Sequence, residues 1–290
     1  MTRRALVVAH RTRPEAVEAR QIVLRELAAA GVEPVIATDE STPATLPEFE
    51  LAIVLGGDGT ILRAAELTRD RGVPMLGVNL GHIGFLAEIE PDNVAAAVKR
   101  LTAGDFRIEE RGTLEVRVIA ADGAESTGWA LNEATMEKTD AATMIEVIIE
   151  VDGRPLSTFG TDGLVLATPT GSTAHAFSGG GPVVWPDVDG LIVVPLAAHA
   201  LFARPLVVGR SSTVAVEVLA RSASGAVLVC DGRRRIEMPA GSRVEVQRSA
   251  VPVLLARLTP APFTARLVSK FGLSVEGWRG GARYVPGGTP

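Results

Sequence analysis

The chain has 290 residues, 47% of them hydrophobic, and a formal net charge of −5; that length can bury one large core or two moderate ones, and two units are expected. With 29 Lys and Arg against 34 Asp and Glu, the composition excludes a nucleic-acid surface, which needs clustered cations to neutralise phosphates. A single cysteine, Cys230, excludes an internal disulfide, and four scattered histidines (His10, His82, His175, His199) offer no zinc-type cluster, so a reducing, cytoplasmic setting is expected.

The apolar stretch at the start, residues 5–9, is too short for a signal peptide and reads as a first strand. Pro14 suits a helix first turn, and Ala16, Val17, Val23, Leu24 and Leu27 recur at helical spacing until Gly31. Residues 32–37 and 51–55 follow as strands, with the Pro-containing stretch 39–50 between them as a long loop or short helix. Residues 61–69 read as a helix, 74–78 as a strand and 91–101 as a helix. Such alternation predicts an α/β unit with an open parallel sheet, Rossmann- or flavodoxin-like, over residues 1–107.

From about Arg107 the period shortens to two. Leu114, Val116 and Val118 alternate with Glu115 and Arg117, and Ile145 to Val151, Val214 to Val218 and Val244 to Val246 repeat the pattern; half-buried strands alternate in this way, so residues 108–258 are expected to form a β-rich unit. The apolar run 190–203 is interrupted by Pro195 and His199, and no membrane partner is expected. A short helical pattern over 264–270 leads into a Gly- and Pro-rich end, and the tail 259–290 is expected to pack back on the first unit.

Three segments carry chemistry. Gly56-Gly57-Asp58-Gly59-Thr60 follows one apolar strand and precedes a helix, the place where open α/β sheets bind ligands. Glycines let backbone approach a phosphate, and the helix that follows offers free N–H groups; a plain strand-to-helix turn is the alternative. No G-x-x-x-x-G-K-[ST] exists, and Leu62 stands where a dinucleotide fingerprint wants its third glycine, so both better-known phosphate loops are excluded. A carboxylate among phosphate-binding glycines suits a proton acceptor or a metal ligand.

The second segment runs from Thr161-Asp162-Gly163 through Thr168-Pro169-Thr170-Gly171-Ser172-Thr173-Ala174-His175-Ala176-Phe177-Ser178 to Gly181. A short apolar strand opens there into small and hydroxyl-bearing residues that present many donors to a polar ligand. An ordinary glycine-rich loop with a short helix is an equal alternative. Asn132-Glu133 is the third, an amide and a carboxylate inside an apolar run, where an unpartnered Glu133 would be costly. His82, in a glycine turn, is expected to bond backbone, and Asp231-Gly232 reads as a hairpin turn.

Taken together, G-G-D-G-T at 56–60, G-H-I-G-F-L at 81–86, N-E at 132–133, D-G at 162–163, T-P-T-G-S-T-A at 168–174 and S-G-G-G-P at 178–182 resemble the NAD kinase family, over most of the chain. The segments 198–205 and 277–280 look like its actinobacterial branch. The resemblance implies transfer of a phosphoryl group from ATP or polyphosphate onto the 2′-hydroxyl of the adenosine ribose of NAD, with a divalent metal, Mg²⁺ by expectation. It implies that Asp58 is the general base, that Gly56, Gly57, Gly59, Thr60 and Arg63 meet phosphate, and that Phe85, Asn132 and Glu133 contribute to substrate binding. Asp162 and the run Thr173, Ala174, His175, Ala176, Phe177 and Ser178 would bind the ends of the dinucleotide, partly across subunits of a homodimer or homotetramer. Metal ligands are not assigned.

Two departures stand out: His175 replaces the usual tyrosine, and residues 139–144 lack a basic residue often found after the N-E pair. A lipid kinase of the diacylglycerol or sphingosine type and a non-catalytic NAD(P) sensor are the competing readings.

Overall fold

The computed structural model describes residues 2–10, 12–80, 84–259 and 262–275. His82 and the 277–280 segment lie outside them. The chain divides into two compact units, Met1–Glu109 with Leu255–Pro290, and Glu110–Leu254.

The elements begin with β1 (Arg4–Ala9), α1 (Pro14–Ala29), β2 (Glu33–Ile36), β3 (Leu51–Leu55), α2 (Asp58–Thr68), β4 (Met75–Val78), α3 (Val94–Thr102) and β5 (Arg107–Arg111). Then come β6 (Leu114–Ile119), β7 (Glu125–Ala130), β8 (Glu133–Lys138), β9 (Ile145–Val151), β10 (Arg154–Thr161), β11 (Gly163–Ala167) and α4 (His175–Ser178). β12 (Gly190–Leu196), β13 (Leu206–Gly209), β14 (Val214–Val218), β15 (Ala226–Cys230), β16 (Arg234–Met238), β17 (Arg243–Arg248), β18 (Val253–Arg257) and α5 (Phe263–Phe271) complete the chain.

In the first unit the sheet order is β2-β1-β3-β4-β18-β5, and the β1–β2, β1–β3, β3–β4 and β4–β18 pairs are parallel. All five side chains of β3 are buried, as a central strand covered on both faces requires. The apolar stripes of α1 (Ala16, Ala19, Val23, Leu27) and α3 (Val94, Ala97, Val98, Leu101) share one core with β1, β3 and β4; each large aliphatic side chain so buried contributes roughly 1.5–3 kcal/mol. Residues 39–50 form a loop with turns and no helix. β18 lies in this sheet although its sequence reads like the strands before it, because alternation reports a half-buried strand and not the sheet to which it belongs.

α2 starts at Asp58, three residues before the apolar periodicity does. The extended Gly57 (φ −85°, ψ −171°) caps it. Asp58 is therefore a first-turn residue rather than a loop residue, and an acidic side chain there is favoured by the helix dipole.

The second unit holds two six-stranded sheets, β10-β9-β14-β17-β6-β7 and β13-β12-β11-β8-β15-β16, with antiparallel pairing throughout the described register. Their facing sides supply one core, including Val116, Ile149, Val216 and Val244 from one sheet and Met136, Leu164, Val193 and Leu228 from the other. The first sheet shows the expected alternation. In the second, β11 and β12 do not, because residues on their outer face (Val165, Ala167, Ile192, Val194) pack with Ala176, while the edge strands β13 and β16 still alternate. Strands buried on both faces read as continuous apolar runs, and theirs is the sheet on which the N-E pair and the D-G segment sit. No helix among the described residues is long and apolar enough to cross a membrane.

Candidate active site

In the first unit, β3 delivers the glycine loop to the start of α2. The first N–H groups of a helix lack partners within it and face outward to an anion. The half-buried Asp58 carboxylate turns back and accepts two backbone N–H bonds, from Phe85 to Oδ2 and from Leu86 to Oδ1, each 3.1 Å. Such a close approach depends on Gly84: a Cβ there would lie 2.3 Å from Asp58 Oδ1. The two bonds use part of the acceptor capacity of a carboxylate, which has about four lone-pair sites, and leave the rest for a hydroxyl.

Two residues expected beside this loop do something else with their side chains. The Phe85 ring is buried between Phe263 and Phe271 of α5, with centroids 5.7 and 6.0 Å away, so the group it turns toward Asp58 is its N–H. Arg63 donates to Glu66 at 2.8 Å and to the carbonyls of Asp39 and Ser41 at 3.1 and 2.5 Å. Its guanidinium holds the 39–41 loop, which gives no ground for a phosphate contact. Gly59 is exposed with open space beside it, and Thr60 is half-buried with its Oγ1 over Gly56, where a Cβ would come within 2.3 Å of it.

In the second unit the N-E pair is fixed from both sides of the backbone. On the carbonyl side, Thr168 donates from its hydroxyl to Leu131 O (2.6 Å) and from its N–H to Asn132 O (2.9 Å). The turn that carries it comes so close that a Cβ on Gly171 would lie 2.0 Å from Asn132 O. On the amide side, Asp231 accepts from the N–H groups of Leu131 (2.9 Å), Asn132 (2.7 Å) and Glu133 (3.3 Å), and from Arg234 at 2.6 Å. Asp231 and Gly232 do form a turn with positive φ (52° and 68°), but the aspartate side chain is also the anchor of the pair. Sequence reasoning missed that role.

Asn132 and Glu133 are each 8% exposed. Burial, and then the neighbouring Asp231 carboxylate, push Glu133 up to about 7, while the backbone N–H of His175 pulls the other way. Asp231 is itself raised, by burial first, against the pull of its three N–H bonds and Arg234. Glu133 Oε2 is buried without a hydrogen-bond partner, an atom whose desolvation is uncompensated unless something else meets it.

The other expected residues of this unit are distributed unequally. His175 Nδ1 lies 3.2 Å from Thr135 Oγ1, so the ring is tied to the N-E strand. Ala176 is fully buried against β11 and β12 and packs rather than presents itself. Thr173 and Ala174 are half-buried, and Phe177 and Ser178 are exposed. Asp162 pairs with Lys138 at 2.7 Å, and Lys138 also donates to Ala141 O. A cation thus stands at the end of β8, beside the D-G segment. The antiparallel register of β8 on β11 places it there, with Gly163 opposite Glu137, and that long-range fact is absent from local sequence.

The ATP-NAD kinase N-terminal domain model matches residues 41–106 and the C-terminal domain model matches residues 131–258. An NAD kinase of Leifsonia xyli subsp. xyli is 55% identical over 95% of this chain and 96% of its own length. An NAD kinase structure from Archaeoglobus fulgidus in complex with ATP is 26% identical, with a TM-score of 0.72 over 93% of this chain and 97% of that one. A yeast NADH kinase structure complexed with NADH, 20% identical, shares the fold, with a TM-score of 0.85 over 94% of this chain and 88% of that one. Neither the lipid-kinase nor the sensor reading finds support among these matches, and the chain belongs to the NAD kinase family.

Proposed function

We propose that the phosphoryl transfer of this family runs here with Asp58 as general base and with the dinucleotide held by Asn132, Glu133, Asp162 and the polar edge of the run Thr173 to Ser178. The enzyme is a phosphotransferase with an alcohol acceptor, forming NADP from NAD. Because the transition state of such a transfer is loose, the protein's task is positioning and charge neutralisation. Asp58 needs only to orient the 2′-hydroxyl and take its proton late. The observation that carries this reading is the carboxylate at the head of α2, fixed by two N–H bonds beside a glycine loop.

Glu133 Oε2 supports the binding half of the reading. A buried carboxylate oxygen without a partner matches a ligand hydroxyl, which can donate to it. Lys138 then offsets the charge of Asp162.

The donor proposed is ATP, with polyphosphate as an alternative, accompanied by Mg²⁺. Among the described residues no group of three or more His, Cys, Asp or Glu is arranged to hold a cation alone, while Asp58 offers a hard oxygen ligand at the phosphate loop. This donor set suits an ion shared between one or two carboxylates and substrate phosphates. When bound, such an ion neutralises negative charge on the donor phosphates. A cytoplasmic setting belongs to the same proposal.

Asp58→Asn keeps the size of the side chain but cannot accept the proton. Its kcat is expected to fall by about 10²- to 10⁴-fold, the usual contribution of a general base, with NAD affinity by calorimetry nearly unchanged. Retention of more than roughly a tenth of wild-type turnover would remove the base assignment. The active form is proposed to be a dimer or tetramer, since the resemblance assigns contacts of the Thr173 to Ser178 run across subunits. A fully active monomer in sedimentation velocity would overturn that.

A further inference from the structure

One of the two peptide groups that hold the Asp58 carboxylate is itself held from behind, and so is the peptide that follows it. Phe85 O accepts Arg266 Nη1 at 2.5 Å, and Leu86 O accepts Arg257 Nη1 at 2.9 Å. The Phe85 carbonyl and the Leu86 N–H are the two ends of one planar peptide unit. Arg266 therefore grips the plane whose N–H reaches Asp58 Oδ1 at 3.1 Å. A cationic donor on the carbonyl also polarises the peptide and strengthens donation from its N–H.

Neither arginine is a casual surface contact. Arg257, at the end of β18, is 8% exposed; its Nε donates to Glu109 and its Nη1 lies 3.6 Å from Glu88. Arg266 sits on α5, the helix whose Phe263 and Phe271 rings enclose Phe85. Burial, and next the adjacent Arg257, hold the Arg266 guanidinium below its usual range, opposed by Glu109, Glu88 and Asp58. Keeping a desolvated cation against a second cation is costly, and the group it grips is the backbone that aims Asp58.

We propose that Arg266 is a positioning residue for the transfer reaction, fixing Asp58 through the Phe85–Leu86 peptide, with Arg257 steadying the next peptide in the chain. The inference rests on the reading of Asp58 as general base. It assigns a role in turnover to α5, a helix more than 170 residues along the chain from the peptide it holds.

Three substitutions at Arg266 separate donor, charge and bulk. Arg266→Met keeps length but cannot donate, and kcat is expected to fall about 10- to 100-fold, the scale on which a misplacement of about 1 Å slows an enzyme. KM for NAD should stay within about threefold, since an interaction that matters in the transition state lowers kcat rather than ground-state binding. Arg266→Gln keeps a neutral donor and should lose about three- to tenfold, and Arg266→Lys, a charged donor, about threefold or less, as charge-assisted bonds are roughly twice as strong.

Thermal unfolding of each variant reads structural damage separately. The order Lys above Gln above Met, at similar Tm, supports positioning; Met with wild-type kcat, or Lys as impaired as Met, overturns it. Should Arg266→Met fail to fold, Arg266→Gln carries the test, and wild-type kcat in it overturns the proposal. Asp58→Asn alone reports on the base assignment independently. In that background Arg266→Met should cost less than about threefold more, because residues acting as a unit are non-additive; additive losses would show that Arg266 acts elsewhere.

Discussion

Asp231→Ala tests how the N-E pair is built. The side chain is 1% exposed and is the acceptor for three consecutive backbone N–H groups at 2.9, 2.7 and 3.3 Å. Alanine leaves those donors buried, at about 1–3 kcal/mol each with the 3.3 Å bond at the weak end. Against this stands the relief of removing a buried carboxylate whose titration is already raised by desolvation. The net loss is then about 3–5 kcal/mol, the usual result of breaking a buried charged network by deleting one partner.

That is a large part of a typical domain stability of about 5–15 kcal/mol. Urea unfolding followed by tryptophan fluorescence is suited to measure it, since Trp129 lies under the Arg234 guanidinium at 4.1 Å and Arg234 in turn pairs with Asp231. NAD affinity should fall with stability, because the same peptides aim Asn132 and Glu133. A variant within about 1 kcal/mol of wild type, the net worth of one ordinary hydrogen bond, would refute the claim that Asp231 supports this backbone.

Glu133 gives a pH dependence with a definite sign. Its folded value is raised from 4.5 to about 7, so the folded state keeps a proton that the unfolded state releases; stability from this group is full below pH 4.5 and is lost between there and about 7. The loss is about 3 kcal/mol at 1.36 kcal/mol per unit, and Glu133→Gln should therefore gain on wild type across that window and run parallel above it in urea titrations at several pH values. If NAD hydroxyls donate to the ionised carboxylate, NAD binding near pH 7 must release protons, seen by calorimetry in buffers of different ionisation enthalpy and missing in Glu133→Gln. Gly84→Ala places a methyl 2.3 Å from Asp58 Oδ1, so kcat should drop by about 10²-fold, as for a displaced catalytic group, with the protein still folded; wild-type turnover would mean that the 84–86 backbone does not set Asp58.

The parts of this protein that sequence reveals are those in which local chemistry and local structure coincide. β3 and the glycines after it mark a strand end that opens into a helix, the place proposed here for phosphate, because a buried apolar run followed by residues without side chains leaves backbone accessible there. The alternation over Leu114, Val116 and Val118 gives a half-buried sheet for the same reason. The sheet that carries Asn132, Glu133 and Asp162 is covered on both faces at β11 and β12, which removes the period, and there the composition of the segment rather than its rhythm marked it.

What stayed hidden is the scaffolding, and each missed residue is separated from its target by a pairing that only the fold creates. Asp231 reads as half of a tight turn, and it is one; that it also anchors residues 131–133 follows from β15 lying beside β8 with Cys230 opposite Ala134. Lys138 reads as the polar end of a strand until β11 is laid against it. Arg257 and Arg266 read as ordinary basic residues near the end of the chain, because the carbonyls they hold are 171 and 181 residues away. Arg63 shows the converse case, since a basic residue one turn beyond the glycine loop looks like a phosphate ligand while its guanidinium also holds the 39–41 backbone. A charged side chain in an active-site segment has two kinds of partner, ligand and backbone, and sequence carries a signal only for the first. The groups expected to touch substrate were therefore the ones that local motifs disclosed, while those that aim them emerged only with the long-range register of the sheets.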